Sequence, residues 1–360
     1  RGLVAVLAPW NFPLAIPTGM IAAALVTGNG VLFKPSERSL VLGAKLAEVF
    51  WASGLPDGIL QFLPGGPDIG QYLVEHSKIH VIAFTGSKQV GLQIIETAAK
   101  HRHGQRDIKK VIAEMGGKNA IIVDDTADMD EAIRGVVKSA FGFQGQKCSA
   151  CSRLILLSMI SESFISRLVE ATKSLSIGSP DDPRHQIGPV IDHQALDTIT
   201  EYINHGKQVA VQALQCDAWE SVPDDGWYVT PKIFLNVRPE NRLAQEEIFG
   251  PVLSVLVASD FDEAMQIANT IEYGLTAGLF SRSPRNIEYA KEVLEVGNLY
   301  INRGITGALV GCQPFGGFHL SGCGAKAGGP DYLKQFMVAQ SITEQTLRRG
   351  FAPPSTKTTA

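Results

Sequence analysis

The sequence predicts an α/β protein built as two doubly wound units with mostly parallel sheets. Three observations predict it. Short apolar runs alternate with longer helical segments from residue 4 onward, the runs are near-continuously hydrophobic, and the pattern restarts after Gly116-Gly117. In the first unit, strands are expected at residues 4–7, 31–33, 60–63, 81–84 and 111–113, with helices at 16–26, 40–52, 69–76 and 90–100. Gly28-Asn29-Gly30 and Gly54-Leu55-Pro56 supply the stops. In the second unit, strands are expected at 120–123, 154–157 and 252–257, and helices at 129–143, 164–175, 196–205 and 261–271. The tail 350–360 is rich in Pro, Ser and Thr and is expected to be disordered.

Composition narrows the function. The chain has 360 residues, 45% hydrophobic and 19% charged, enough to bury the cores of two globular domains. A net charge of -4 offers no basic stripe for phosphate neutralisation, so nucleic acid is not an expected partner. Residues 14–33 carry no charge, but Pro17, Gly19, Gly28, Asn29 and Gly30 interrupt them, so no membrane segment is expected. Five cysteines without a framework spacing suggest reduced thiols in a cytoplasmic setting. The chain opens on Arg1-Gly2-Leu3 without a signal peptide, and is expected to continue a longer protein.

Three residues carry candidate chemistry. Cys148 lies in a glycine-flanked stretch, 142–151, where Lys147 and backbone N–H groups would favour the thiolate that attacks carbonyls. The plain alternative is an inert core thiol, and Cys148 with Cys151 also spells C-x-x-C, a redox pair or half a zinc site. No second C-x-x-C or His cluster completes a metal site, so no metal is expected. Glu114 closes an apolar strand before two glycines, where a part-buried carboxylate can activate water; it can equally be an ordinary turn residue. Asn11, between Pro9 and Pro13, can donate to an oxyanion or simply shape a turn.

The cofactor signals are weaker. Gly86 and Ser87 follow a strand and open a helix, a natural pyrophosphate site. Lys34, Ser36 and Glu37 follow the second strand, where Lys and Glu can hold ribose hydroxyls and the Glu repels a 2′-phosphate, favouring NAD over NADP. Both stretches also fit ordinary polar loops.

Taken in order, PWNFP (9–13), KPSE (34–37), FTGS (84–87), EMGGK (114–118), GQKCSAC (145–151), EEIFGPV (246–252) and QPFGGF (313–318) resemble the aldehyde dehydrogenase superfamily. Within it, GFQGQKCSACSR (142–153), residues 302–308, KAGGPDYL (326–333) and a few extra residues between FTGS and EMGGK resemble the branch that oxidises glutamate γ-semialdehyde, the open form of Δ1-pyrroline-5-carboxylate. The resemblance implies an NAD-binding domain over 1–116, a catalytic domain over 117–318, and an oligomerisation segment over 330–345 with a small assembly strand. It also implies a homo-oligomer, in the cytoplasm or, in a eukaryote, the mitochondrial matrix. Cys148 becomes the nucleophile, Glu114 the base for thioester hydrolysis, and Asn11 with the Cys148 N–H the oxyanion hole. Trp10, Lys34, Ser36, Glu37, Gly86, Ser87, Glu247 and Phe249 become cofactor contacts. Ser149, Gly307 and Ala308 would hold the substrate carboxylate, and Phe12 and Phe315 its aliphatic stem. Two departures stand out. Met115 replaces the usual Leu, a volume-conserving change, and the family's first block is absent, which implies exposed sheet edges. A dehydrogenase for another small aldehyde, an inactive truncated product and a catalytically dead scaffold are the competing readings.

Overall fold

The computed structural model describes residues 2–214, 226–346 and 350. The first unit runs β1 (Leu3–Leu7), α1 (Ala15–Val26), β2 (Gly30–Lys34), α2 (Leu40–Ala52), β3 (Leu60–Phe62), α3 (Pro67–Glu75), β4 (Ile79–Thr85), α4 (Lys88–Ala99) and β5 (Lys110–Glu114). The second runs β6 (Asn119–Val123), α5 (Met129–Phe141), β7 (Cys151–Leu157), α6 (Ser158–Lys173), α7 (His193–Val209), β8 (Val211–Gln212), β9 (Lys232–Leu235), α8 (Arg242–Gln245), β10 (Val252–Ala258), α9 (Phe261–Asn269), β11 (Tyr273–Gly274), β12 (Thr276–Phe280), α10 (Pro284–Val293) and β13 (Asn298–Ile301). β14 (Phe318–His319) and β15 (Gly322–Cys323) follow.

Two large sheets result, in strand orders β15-β5-β4-β1-β2-β3 and β13-β12-β6-β7-β10-β9-β8, beside a two-stranded antiparallel pair of β11 with β14. All neighbours in the large sheets pair in parallel except β15 with β5 and β8 with β9. Burial on both faces explains the unbroken apolar runs: Val4, Ala5 and Val6 are fully buried, as are Ile121, Ile122 and Val123. The first sheet's strands thus end together at β1 and β4, and the chain crosses to the second sheet through residues 115–118.

The expected elements form, with several differences. The helix predicted over 129–143 stops at Phe141, because Phe143 (φ 58°) and Gln144 (φ 55°) turn left-handed. β9, β12 and β13 escaped sequence reading. β12 is TAGLF, with a central glycine where a Cβ would meet Ile305 at 2.6 Å, so packing rather than β-propensity makes it a strand. After β13 the chain returns to the first unit: β15 pairs with β5, and Tyr332 and Phe336 are buried in the same core as Val4 and Ile21. The segment 330–345, expected to hold an assembly strand, therefore divides. Its first part docks on α1, with Asn29 Nδ2 donating to the Phe336 carbonyl at 3.1 Å. Residues 337–346 have no regular secondary structure in the single chain, since an isolated strand has no partner for its backbone groups. Apart from Gly350, the tail expected to be disordered lies outside the described residues. No helix among the described residues is long and apolar enough to cross a membrane.

Candidate active site

A cleft of about 850 Å³ opens at the C-terminal ends of β1 and β4, where α/β sheets place ligands. The first unit supplies one wall and the start of α7, with Glu247 to Phe249, supplies the other. Ten of the residues singled out by sequence line it together: Trp10, Asn11, Lys34, Ser36, Glu37, Gly86, Ser87, Cys148, Glu247 and Phe249.

Cys148 is held by an unusual loop. After α5, Phe143, Gln144 and Gly145 all take positive φ, a conformation costly for two non-glycine residues. Surrounding hydrogen bonds fix it. Gln146 Oε1 accepts from the Ile191 N–H at 2.9 Å, and the Gln146 carbonyl accepts from Asn11 Nδ2 at 3.1 Å. Asn119 Nδ2 donates to the carbonyls of Cys148 (2.7 Å) and Ala150 (2.9 Å), while its Oδ1 accepts from the Thr276 N–H at 3.0 Å. Gly117 is obligatory beside this loop, since a Cβ there would lie 2.7 Å from the Cys148 carbonyl oxygen. Asn11 spends one of its two amide hydrogens on Gln146.

The environment of the sulfur corrects one expectation. The N–H groups of Ser149 and Cys148 favour the thiolate, but burial and the carboxylates of Glu247 and Glu114 outweigh them and push the thiol up to about 12. Lys147 does not rescue it; burial lowers its own pKa. Burial and the two carboxylates thus hold the Cys148 thiol above the ordinary thiol range.

Two carboxylates face that thiol electrostatically. Glu114, at the end of β5, is pushed up to about 8, chiefly by burial, against the opposing pull of the Gly317 N–H and Lys326. Its Oε2 is shielded and has no hydrogen-bond partner, as expected of a group kept free for chemistry. Glu247 accepts from the Gly117 N–H at 3.0 Å, and burial pushes it up to about 7 against Gly117, Lys118 and Lys88. Lys118, unnoticed in the sequence, is fully buried with its Nζ unpartnered; burial and Arg153 push it down to about 7.

At the other end of the cleft, Lys34 is buried, donates to the Pro35 carbonyl at 3.0 Å, and has its pKa lowered by burial. Ser36 Oγ accepts from the Arg38 N–H at 3.3 Å, and Ser87 Oγ caps α4 by accepting from the Val90 N–H at 3.4 Å. Trp10 meets Phe249 edge-on, centroids 5.7 Å apart, and Phe249 holds φ 57°.

Glu114, Phe12, Ser149, Gly307, Ala308 and Phe315 do not line this cleft. Phe12 packs near Phe143, centroids 6.3 Å apart, and Ser149 is buried. Phe315 is tied to Ala327 by two backbone bonds of 3.0 and 2.8 Å. Gly307 takes φ +77°, and no described atom lies within 4 Å of where its Cβ would be, so the space beside it is open. Ala308 follows it, half-buried. Sequence reading missed Arg38, Asp68, Gln194 and Gly116, all of which line the cleft. Gly116 carried a signal, in EMGGK; Gln194 had none, because it arrives from the second unit. Cys148 and Cys151 are free, and the buried Cys151 donates to the Arg153 carbonyl at 3.3 Å. Among the described residues no group of three His, Cys, Asp or Glu side chains could hold a metal.

Two α/β units with a cysteine and two half-buried carboxylates near their junction define a class. The sequence pattern of the aldehyde dehydrogenase family matches residues 1–342, and the chain belongs to that family. It is 50% identical over 344 residues to the 1-pyrroline-5-carboxylate dehydrogenase of Geobacillus thermodenitrificans, covering 95% of this chain and 66% of that one. The fold matches proline utilization A from Bdellovibrio bacteriovorus with a TM-score of 0.94 and 52% identity, covering 99% of this chain and 37% of that one. A Thermus 1-pyrroline-5-carboxylate dehydrogenase with bound NAD matches with a TM-score of 0.90 and 49% identity, over 93% of this chain and 64% of that one. The chain thus spans about two thirds of the curated relatives it matches.

Proposed function

We propose that this chain oxidises L-glutamate γ-semialdehyde, the open form of Δ1-pyrroline-5-carboxylate, to L-glutamate in proline catabolism, with NAD as hydride acceptor and a thioester on Cys148. The observation that carries the reading is the meeting of Cys148, Asn11 and Glu247 in one cleft, with the Glu114 carboxylate acting on the same sulfur. The relatives' names supply the substrate class.

The cleft suits NAD on its own geometry. Its volume is at the upper end for a small-molecule site, it meets the N-terminus of the 12-residue helix α4 at Gly86-Ser87, and Gly116 leaves room for the Glu247 carboxylate. Lys34 and Glu37 would hold the adenosine ribose with Ser36 shaping their loop, Gly86 and Ser87 the pyrophosphate, Glu247 the nicotinamide ribose, and Trp10 and Phe249 the ring. When bound, NAD supplies the hydride acceptor and a positive ring charge.

The chain's residues do the rest. A carboxylate takes the thiol proton and Cys148 Sγ attacks the aldehyde carbon. The free Asn11 amide hydrogen and the Cys148 N–H hold the resulting oxyanion. Loss of hydride from that carbon leaves the thioester. Glu114 then takes a proton from water, whose oxygen attacks the acyl carbon, releasing the acid and restoring the thiol. Ser149, Gly307 and Ala308 would seat the substrate's α-carboxylate, and Phe12 and Phe315 its stem.

We place the enzyme in the cytoplasm, since the described cysteines are free thiols, and we assign residues 337–346, with exposed Val338 and Ile342, to pairing within a homo-oligomer. The test is stepwise. Cys148→Ala should abolish turnover of glutamate semialdehyde while NAD still binds, and Glu114→Gln should give one burst of NADH and then stall. Equal kcat/KM for simple aliphatic aldehydes would remove the substrate assignment.

A further inference from the structure

Several side chains on the cleft belong to none of these roles, and Arg38 is one of them. Arg38 sits just beyond Glu37, in the loop after β2, and lines the cleft. Its Nε forms an ion pair with Asp192 Oδ2 at 2.6 Å, and its Nη2 donates to Gln194 Oε1 at 2.9 Å. Both partners belong to the second unit. The contact therefore spans the cleft mouth from one unit to the other.

Asp192 uses its two oxygens for two tasks. Oδ2 takes the Arg38 guanidinium, while Oδ1 caps α7 by accepting from the Ala195 N–H at 2.8 Å. The next residues of α7, including Ala195, Thr198 and Ile199, line the cleft on the same side. On the other unit, the Arg38 N–H is tied to Ser36 Oγ, within the loop that also presents Lys34 and Glu37. A continuous chain of bonds thus runs from that loop, through Arg38 and Asp192, into the start of α7. The ion pair is about two-thirds covered, 31% and 26% exposed, so water screens it only in part.

We propose that Arg38 is a positioning residue for the dinucleotide. With Asp192 and Gln194 it forms a clasp that sets α7 against the β2 loop, fixing the width of the cleft at its Lys34–Glu37 end. The inference rests on the NAD reading above. The clasp acts on binding rather than on the sulfur chemistry, because its bonds reach the walls of the cleft and not Cys148.

The experiment is a double-mutant cycle on NAD binding, followed by Trp fluorescence and calorimetry in the unsubstituted chain, Arg38→Gln, Asp192→Asn and the pair together. Asp192→Asn keeps a side-chain oxygen for the α7 cap and removes the charge, so the helix start is preserved. Each single change should raise the NAD dissociation constant about three- to tenfold. The double change should cost no more than either single one. In turnover, the loss should fall on KM for NAD rather than on kcat, and Arg38→Lys should restore part of it. Unchanged NAD affinity in both single variants, or losses that add in the double, would overturn the clasp while leaving the NAD reading intact. An unsubstituted chain that fails to bind NAD would overturn that reading and the clasp with it.

Discussion

Gly116 lies against the Glu247 carboxylate so closely that a Cβ at residue 116 would overlap both carboxylate oxygens. Glu247 is a half-buried acid at about 7, anchored by the Gly117 N–H. The glycine pair is therefore a seat for a side chain 130 residues away, and also the gap that admits the Cys148 carbonyl.

The first prediction concerns that seat. Gly116→Ala should push Glu247 out of its bond with Gly117 and misplace whatever the carboxylate holds. A displacement near 1 Å can cost about 100-fold in rate, so kcat/KM should fall by roughly one to two orders of magnitude. Steady-state kinetics with NAD varied would measure it; a rate within about twofold of the parent would mean that Glu247 has no positioning role.

Glu114 sets the pH dependence. Its folded pKa, about 8, lies above the ordinary 4.5, so the folded state holds a proton that the unfolded chain has released between those values. The stability this contributes is complete below pH 4.5 and is lost as pH rises through about 8. Glu114→Gln, which cannot ionise, should therefore melt above the parent by a few degrees at pH 9, with the gap closing near pH 5. Thioester hydrolysis should run the other way in the parent, rising through about pH 8 as the base ionises. A flat difference in melting temperature across that range would contradict the raised pKa of Glu114.

Asn119 holds the backbone at Cys148 and Ala150. Replacing it with Ala removes the donor shared by the Cys148 and Ala150 carbonyls and the acceptor of the Thr276 N–H. Leaving buried backbone groups unmet should cost about 1–3 kcal/mol, with kcat falling as the left-handed 143–145 loop relaxes. Chemical denaturation and turnover would be compared on one preparation. Lost stability with unchanged kcat would make Asn119 structural only.

Much of this was legible in the sequence, for identifiable reasons. β1, β2, β4 and β6 announce themselves because strands buried on both faces need unbroken apolar runs. Cys148, Asn11 and Glu114 stood out because Gly and Pro flank them. The failures are equally physical. β12 is interrupted by Gly278 and β13 is only four residues long, so both are fixed by their neighbours. The end of α5 was misread because nothing in Phe143 or Gln144 announces positive φ; the bonds to Gln146 impose it from outside. Thiolate character was expected from Lys147, yet the sulfur answers first to burial and then to Glu247 and Glu114, far away in the chain.

The sequence by itself determined the alternating α/β plan, the break near Gly116-Gly117 and the residue types needed for carbonyl chemistry. Those follow from short-range periodicity and from motifs whose meaning is local. Only the tertiary structure decided that residues 322–336 fold back onto the first unit, that burial with Glu247 and Glu114 raises the Cys148 thiol, and that Arg38 reaches across to Asp192. Each of these depends on burial, or on an encounter between groups far apart in the chain, and neither is written in local pattern.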